Sequence, residues 1–472
     1  MSISVIEAYL DFVLSYAPYF YVDSNGEPDK DWGKGVAPAA HAIDFLYEIY
    51  NDSRFDERKS EVFGKIVSLA DFLVSLQCTE ESNLAYGGFK STESSNYYYS
   101  IDAMRAIPSL LKAYSVTKNQ TYFDSAMFAA EVFLYNMQHK PSELGQHDKY
   151  YGGFAEAVTF EGAWLPEMRI LHLYGLIGLK MLFEQTKNPK FQEMINDALN
   201  FYRGAFESLW LKFSPLPSGD GRWHRLGTSE NLVYDDDFAY ALNGIYFYEG
   251  FSKTVSRVYD FLNSMQPSLE YPAYNPAICW AGYIDVEKRG AACNYYDAVT
   301  SGILWQIRKN HDKLSFDFST KIIKDHWQEF MFWGPKFEDY TPIEEKKSVV
   351  TVSWLGILLL KYVPPQTPFI RTLNAYGEEI TLYPVREAKD DVYYGEGIRI
   401  KALVQPSRIE EIILEAGYTI NDYITIHVFV PIKPRDKIER KGLQYEVSTV
   451  QDVYFRGELV YKTAVCRRLI GA

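Results

Sequence analysis

The sequence predicts a two-part chain: an all-α (α/α)6 toroid over residues 1–363, a proline-rich linker at 364–369, and a small all-β barrel over 370–472. Three observations carry that expectation. Apolar helical runs recur at a spacing near 60 residues. Alternate runs differ in how much of their circumference is apolar. After Val363-Pro364-Pro365 the hydrophobic period changes from helical to two-residue alternation.

The recurring runs start at Val36, Ser100, Pro166, Asp236, Asp297 and Thr351, separated by 64, 66, 70, 61 and 54 residues. A fixed recurrence of this length marks a repeat architecture. Between these starts lie six other helical patterns: Ile3–Tyr16, Glu61–Gln77, Tyr122–Met137, Phe191–Leu211, Lys253–Met265 and Phe316–Phe330. They carry apolar residues on one face, as Val62, Ile66, Leu69, Ala70 and Leu73 do, the pattern of an amphipathic surface helix. The runs Leu171–Leu182, Ala239–Phe247 and Val352–Tyr362 are apolar on nearly every side, which marks buried helices. Twelve helices, alternately outer and inner, close into a toroid. The turns repeat as well. Tyr86-Gly87-Gly88-Phe89 and Tyr151-Gly152-Gly153-Phe154 lie 65 residues apart, and Met104-Arg105 and Met168-Arg169 follow 18 and 17 residues later. Paired glycines accept backbone angles that other residues resist, so these are the turns by which the chain re-enters the ring.

These alternating helices, Tyr-Gly-Gly-Phe turns and acid-headed inner runs resemble the six-hairpin toroids of glycoside hydrolases, sugar epimerases and related polysaccharide enzymes. The resemblance spans about residues 1–363 and is architectural. It implies a carbohydrate ligand.

Past the prolines, which end the last helix and stiffen the connection, the segments 380–383, 397–404, 423–429, 443–447 and 461–467 alternate as strands do, with a short helix expected over Ser407–Ala416. Ala402-Leu403-Val404-Gln405-Pro406, an acidic helix, Gly417, Asp422-Tyr423-Ile424-Thr425-Ile426 and Gly442-Leu443-Gln444-Tyr445-Glu446-Val447 follow in order, closed by Tyr461, Ala464 and Arg467-Arg468. That succession resembles the head-closure and head–tail adaptor barrels of tailed phages. The resemblance implies docking of residues 370–472 onto viral neck, tail or capsid proteins, in a homo-oligomeric ring. Where that family shows Gly-Asp before a strand, this chain has Arg435-Asp436.

Composition narrows the function classes. A net charge of −14 argues against nucleic acid as a partner, because phosphate binding needs a basic footprint. Cys78, Cys279, Cys293 and Cys466 show no metal-ligand spacing and no disulfide framework. There is no Gly-x-Gly-x-x-Gly, Walker loop or EF-hand spacing, so neither cofactor nor metal is expected. Met1–Phe20 lacks a basic leader and reads as no signal peptide. No apolar run approaches the length of a membrane span. The expected location is a virion or the cytoplasm.

In such a toroid the cleft lies at the mouth, among the inner-helix N-termini and the loops before them. Glycoside hydrolysis needs a pair of carboxyls, one protonated and one ionised. Asp236 and Asp297, which head successive inner helices, form the expected pair, with Asp102 across the ring in reserve. Asp235, Asp237, Glu167, Trp164, Trp223, His224, Tyr234, Trp280, Tyr295 and Tyr296 are the expected substrate contacts, the aromatic faces stacking on pyranose rings. The competing reading is that each acid is an N-cap accepting backbone N–H groups, although three successive acids exceed what one cap needs. His41 and His172, on inner helices, read as hydrogen-bonded core residues. Two functions follow. One is a virion structural protein whose toroid binds or cleaves a surface glycan. The alternative is a free carbohydrate-active enzyme with an accessory barrel.

Overall fold

The computed structural model describes residues 3–138, 151–216, 219–225, 232–263, 283–285, 290–291, 325–332, 344–362 and most of 376–469, with isolated positions between them. The chain divides into two compact units, Met1–Pro364 and Pro365–Ala472.

The first unit is built of α1 (Ile3–Tyr16), α2 (Val36–Tyr50), α3 (Lys59–Ser75), α4 (Ser100–Thr117) and α5 (Gln120–Phe128), the last prolonged by a π-helical turn, Ala129–Leu134. Then come α6 (Leu176–Thr186), α7 (Pro189–Glu207), α8 (Asp235–Glu249), α9 (Lys253–Asn263) and α10 (Val349–Tyr362). Even-numbered helices pack on one another in succession, α10 on α2, α2 on α4, α4 on α6 and α6 on α8, and the odd-numbered ones lie outside them. Burial follows the same alternation. Twelve residues of α2 are buried, whereas α3, which is longer, buries only the five apolar residues of its stripe. This is the (α/α)6 arrangement that the periodicity predicts. The start at Asp297 and most of Phe316–Phe330 fall outside the described residues.

The inner helices start at Val36, Ser100, Asp235 and Val349, at or within two residues of the expected positions. The third departs from expectation. Trp164–Leu165 and Met168–Arg169 are short strands, the latter paired with Phe213 and Lys212, and the helical path begins as a 3-10 turn, Ile170–Gly175. Pro166 accounts for it: proline donates no N–H and pushes the residue before it toward extended geometry.

Helix starts are satisfied in two ways. The outer helices α5 and α7 use side-chain caps: Asn119 accepts from Thr121 N–H, and Asn188 from Lys190 N–H. Both asparagines follow a Thr-Lys pair whose lysine is left-handed, φ 58° at Lys118 and at Lys187. At four inner helical starts the first N–H is instead taken by a carbonyl of a neighbouring segment: Val36 by Ser91, Ser100 by Glu156, Ile170 by Leu211 and Val349 by Phe20. At the Ser100 start the Glu156 carbonyl satisfies an orphan donor, and Asp102 pairs with Arg105 instead of capping.

The Tyr-Gly-Gly-Phe turns are equivalent in space. Gly87 and Gly152 have φ of +86° and +93°. Gln77 and Gln138 brace them, each side-chain amide donating to the turn carbonyl (Gly87 or Gly152) and to a carbonyl of the next outer helix (Ser125 or Met194).

The second unit is a closed six-strand antiparallel barrel, in the order Glu378–Tyr383, Ile398–Pro406, Tyr423–Val428, Glu458–Arg468, Leu443–Phe455 and Lys437–Arg440, the last pairing back to the first. Alternate residues, among them Ile380, Leu382, Ile400, Ala402, Ile424, Ile426 and Ala464, fill its interior. Residues 408–417, where a helix is expected, fall outside the described residues. Arg435 has φ +72°, the conformation for which glycine is the usual choice. Beside it the buried Asp436 carboxylate accepts from Val385 and Lys433 N–H, which ties the turn to the start of the separate hairpin Val385–Tyr394.

Candidate active site

Short strands lead into the inner helices and form the mouth. Tyr97–Tyr99 precedes α4, Met168–Arg169 precedes the Ile170 turn, and Leu232–Tyr234 precedes α8. Beside them opens a cleft of about 500 Å³, lined by Glu156, Leu165, Glu167, Arg169, Lys212 and Tyr234 among others.

Arg169 organises the charges. Its Nε and one terminal nitrogen donate to the two oxygens of Asp237 at 3.0 and 2.6 Å, and its other nitrogen donates to Glu156 Oε1 at 3.3 Å. Asp237 is 1 % exposed. Burial pushes its carboxyl up to about 7, even against the pull of Arg169. Burial likewise raises Glu156, opposed mainly by Arg169. Glu156 Oε2 is buried and has no hydrogen-bond partner among the described residues. The group facing it is His172 Nε2 at 3.7 Å, an ion-pair distance but too long for a hydrogen bond. His172 is fully buried and pushed down to about 3, so it is neutral at ordinary pH and adds no charge to Glu156. Its other nitrogen shares a long hydrogen bond with Tyr202 Oη, which also accepts from Phe154 N–H.

A second layer lies below. Asp102 pairs with Arg105 at 3.3 Å within α4, and burial raises the Asp102 carboxyl against that pair. The Arg105 guanidinium stands 4.8 Å from the Tyr240 ring centre, and Tyr240 Oη shares a 3.1 Å hydrogen bond with His41 Nε2. Both histidines thus sit buried and hydrogen-bonded on the inner wall.

The expected site residues separate. Tyr234 lines the cleft, with the Arg169 guanidinium 5.9 Å from its ring centre. Glu167 lines it and is paired with Lys212 at 3.0 Å. Asp236 keeps some exposure; its Oδ1 accepts from Asp237 N–H, and burial is the main cause that raises its carboxyl. Trp164 is 43 % exposed, and strand alternation sets it on the face opposite Leu165, which lines the cleft. Trp223 packs against Phe201, Phe213 and Tyr202 as part of the aromatic core. His224 stands beside Lys212, one strand away from the cleft, and binds Asp220 at 2.7 Å. Trp280, Tyr295, Tyr296, Asp297 and the Asp235 side chain lie outside the described residues.

Glu156, Arg169 and Arg105 are the site residues that sequence reasoning did not single out, while His172 is the hydrogen-bonded core residue it expected. The repeated Met-Arg dipeptide was a signal for both arginines. Glu156 had none, being a lone acid in a loop. Among the described residues no cluster of three His, Cys, Asp or Glu side chains could hold a metal ion, and no helix is long and apolar enough to cross a membrane.

No protein-family model matches the chain, and comparison with curated proteins gives no match. Solved structures do match its fold. A cellobiose 2-epimerase from Spirochaeta thermophila is similar over 75 % of this chain and 92 % of its own, with TM-score 0.54 and 14 % identity. An α-amylase from Clostridium perfringens aligns over 76 % and 97 %, with TM-score 0.53 and 12 % identity. A family 76 glycoside hydrolase from a bovine Bacteroides thetaiotaomicron strain aligns over 76 % of each chain, with TM-score 0.53 and 12 % identity. The shared property is the toroid. At such identities it is the fold alone that these likenesses show.

Proposed function

We propose that the toroid is a carbohydrate-active enzyme whose mouth performs acid–base chemistry on a glycosidic bond. The observation that carries this reading is Glu156: a carboxyl lining a cleft, raised by burial, whose buried Oε2 has no hydrogen-bond partner among the described residues. A carboxyl in the wall of a cleft whose affinity for its proton is raised by burial is what protonation of a leaving group calls for. Asp236 is its proposed partner, because it is the partly exposed acid of the α8 front. Asp297 keeps its place as a further candidate base. Asp102 and Asp237 are each held by an arginine, so they position the others. Tyr234 and Leu165 offer flat surface for a sugar ring. The names of the three similar structures are all those of sugar-processing enzymes, which supports the ligand class.

A second reading, proton abstraction beside a sugar carbonyl, draws on the likeness of fold to a cellobiose 2-epimerase. Placement in a virion, with a barrel ring docked on neck or tail proteins, rests on the strand succession of residues 370–472 alone, and an accessory role for the barrel is the simpler proposal.

The test is a screen of storage and cell-surface glycans with wild type, Glu156→Gln and Asp236→Asn, run in D2O. Hydrolysis by wild type, reduced about 10²–10⁴-fold in Glu156→Gln with folding intact, is the expected result. Deuterium on a carbon of recovered sugar would favour proton abstraction instead. Binding without any turnover would remove the enzyme reading.

A further inference from the structure

Beyond the layer formed by Arg105, Tyr240 and His41, the toroid axis holds a second cavity of about 280 Å³. Its wall comes from later turns of the inner helices: Asp44 and Glu48 of α2, Lys112 of α4, Asn243 of α8 and Trp354 of α10. The mouth acids Asp102, Asp236 and Asp237 lie in the first turns of the same helices, so the cavity is displaced along the axis toward the helix C-termini. We propose that it is a separate binding site for one neutral sugar ring.

Three features support that class. First, Trp354 is 4 % exposed, and its indole N–H has no hydrogen-bond partner among the described residues. A buried donor is ordinarily paired, and an indole N–H asks for an oxygen acceptor from whatever fills the space. Second, the wall alternates polar groups with apolar and aromatic surface from Ile177, Phe247 and Ile357, which suits a ring with hydroxyl edges and C–H faces. The volume lies just below the roughly 300–1,000 Å³ of sites for drug-sized ligands, and so fits one ring rather than a chain of them. Third, the charge balance disfavours anions. Lys112, the cation of the described wall, already donates to Asp44 at 2.8 Å, and Ser109 donates to the same carboxylate oxygen. With Asp44 and Glu48 both present, a sugar phosphate would meet more negative than positive charge.

The inference stands on this cavity and not on the reaction proposed for the mouth. It is tested on the full chain labelled with ¹⁵N-tryptophan, where the Trp354 indole signal is identified by its loss in Trp354→Phe. Glucose, galactose and N-acetylglucosamine are titrated, with glucose 6-phosphate as the anionic comparison. Expected is a saturable shift of the Trp354 signal with at least one neutral sugar, retained in Glu156→Gln and absent with the phosphate. Calorimetry should show the same sugar bound about 2- to 10-fold more weakly by Trp354→Phe, the worth of one neutral hydrogen bond. No shift with any of the three sugars would overturn the proposal. So would an equal shift with glucose 6-phosphate, or a shift that disappears in Glu156→Gln, which would place the sugar in the mouth.

Discussion

Replacing Arg169 by Met removes the guanidinium that holds both Asp237 oxygens and Glu156 Oε1 while keeping an unbranched apolar stem. The consequence depends on pH in a defined direction. Asp237 titrates at about 7 in the folded protein against 3.8 when unperturbed. Its contribution to stability is therefore full below 3.8 and lost as pH rises through 7. Arg169 limits that loss by stabilising the ionised form. At pH 8 the variant must either bury a lone carboxylate or take up a proton, and breaking a buried pair in this way costs about 3–5 kcal/mol. At pH 5 Asp237 is protonated with or without Arg169, and only hydrogen bonding is lost, about 1–2 kcal/mol. Denaturant unfolding followed by tryptophan fluorescence at the two pH values measures the difference. An equal loss at both, or less than about 1 kcal/mol at pH 8, would refute the assignment of Arg169 as the counter-charge of the site.

Two further substitutions test the backbone. Gly152→Ala should destabilise the toroid by about 2–5 kcal/mol, because the added Cβ would stand 2.1 Å from the Asp197 carbonyl oxygen at φ +93°. Gly250→Ala, at φ +73° and ψ −155° with open space around it, should cost about 1–3 kcal/mol from backbone strain alone, and thermal unfolding compares the two. In the barrel, Arg435→Gly should relieve the left-handed φ of +72° and stabilise by about 0.5–1 kcal/mol after the entropy of glycine is counted. Labelling of the buried Cys466 thiol should then slow by about 2- to 5-fold.

The sequence by itself determined the architecture. The 60-residue recurrence, the runs apolar all round and the switch to two-residue alternation are properties of where apolar residues stand, and burial is what the core selects for. The helix starts at Val36 and Ser100 were legible for the same reason. The start at Pro166 was not, because the strands that replace it span two residues each and leave no period to read. The role of the acids also lay beyond the sequence. Asp102, Asp236 and Asp237 look like caps in one dimension. Only the packed structure shows that the Glu156 carbonyl takes the first N–H of α4 while Asp102 turns to Arg105, and that Asp237 is drawn to Arg169. The ranking among them was decided by partners distant in the chain: Arg169 reaches Asp237 across 68 residues, and Glu156 is left with an unpaired oxygen because His172 stops at 3.7 Å. Hydrophobic pattern is local and periodic, so the sequence displays it. Charge pairing in a cleft depends on which segments the closed ring brings within 3 Å, and only the tertiary structure decides that.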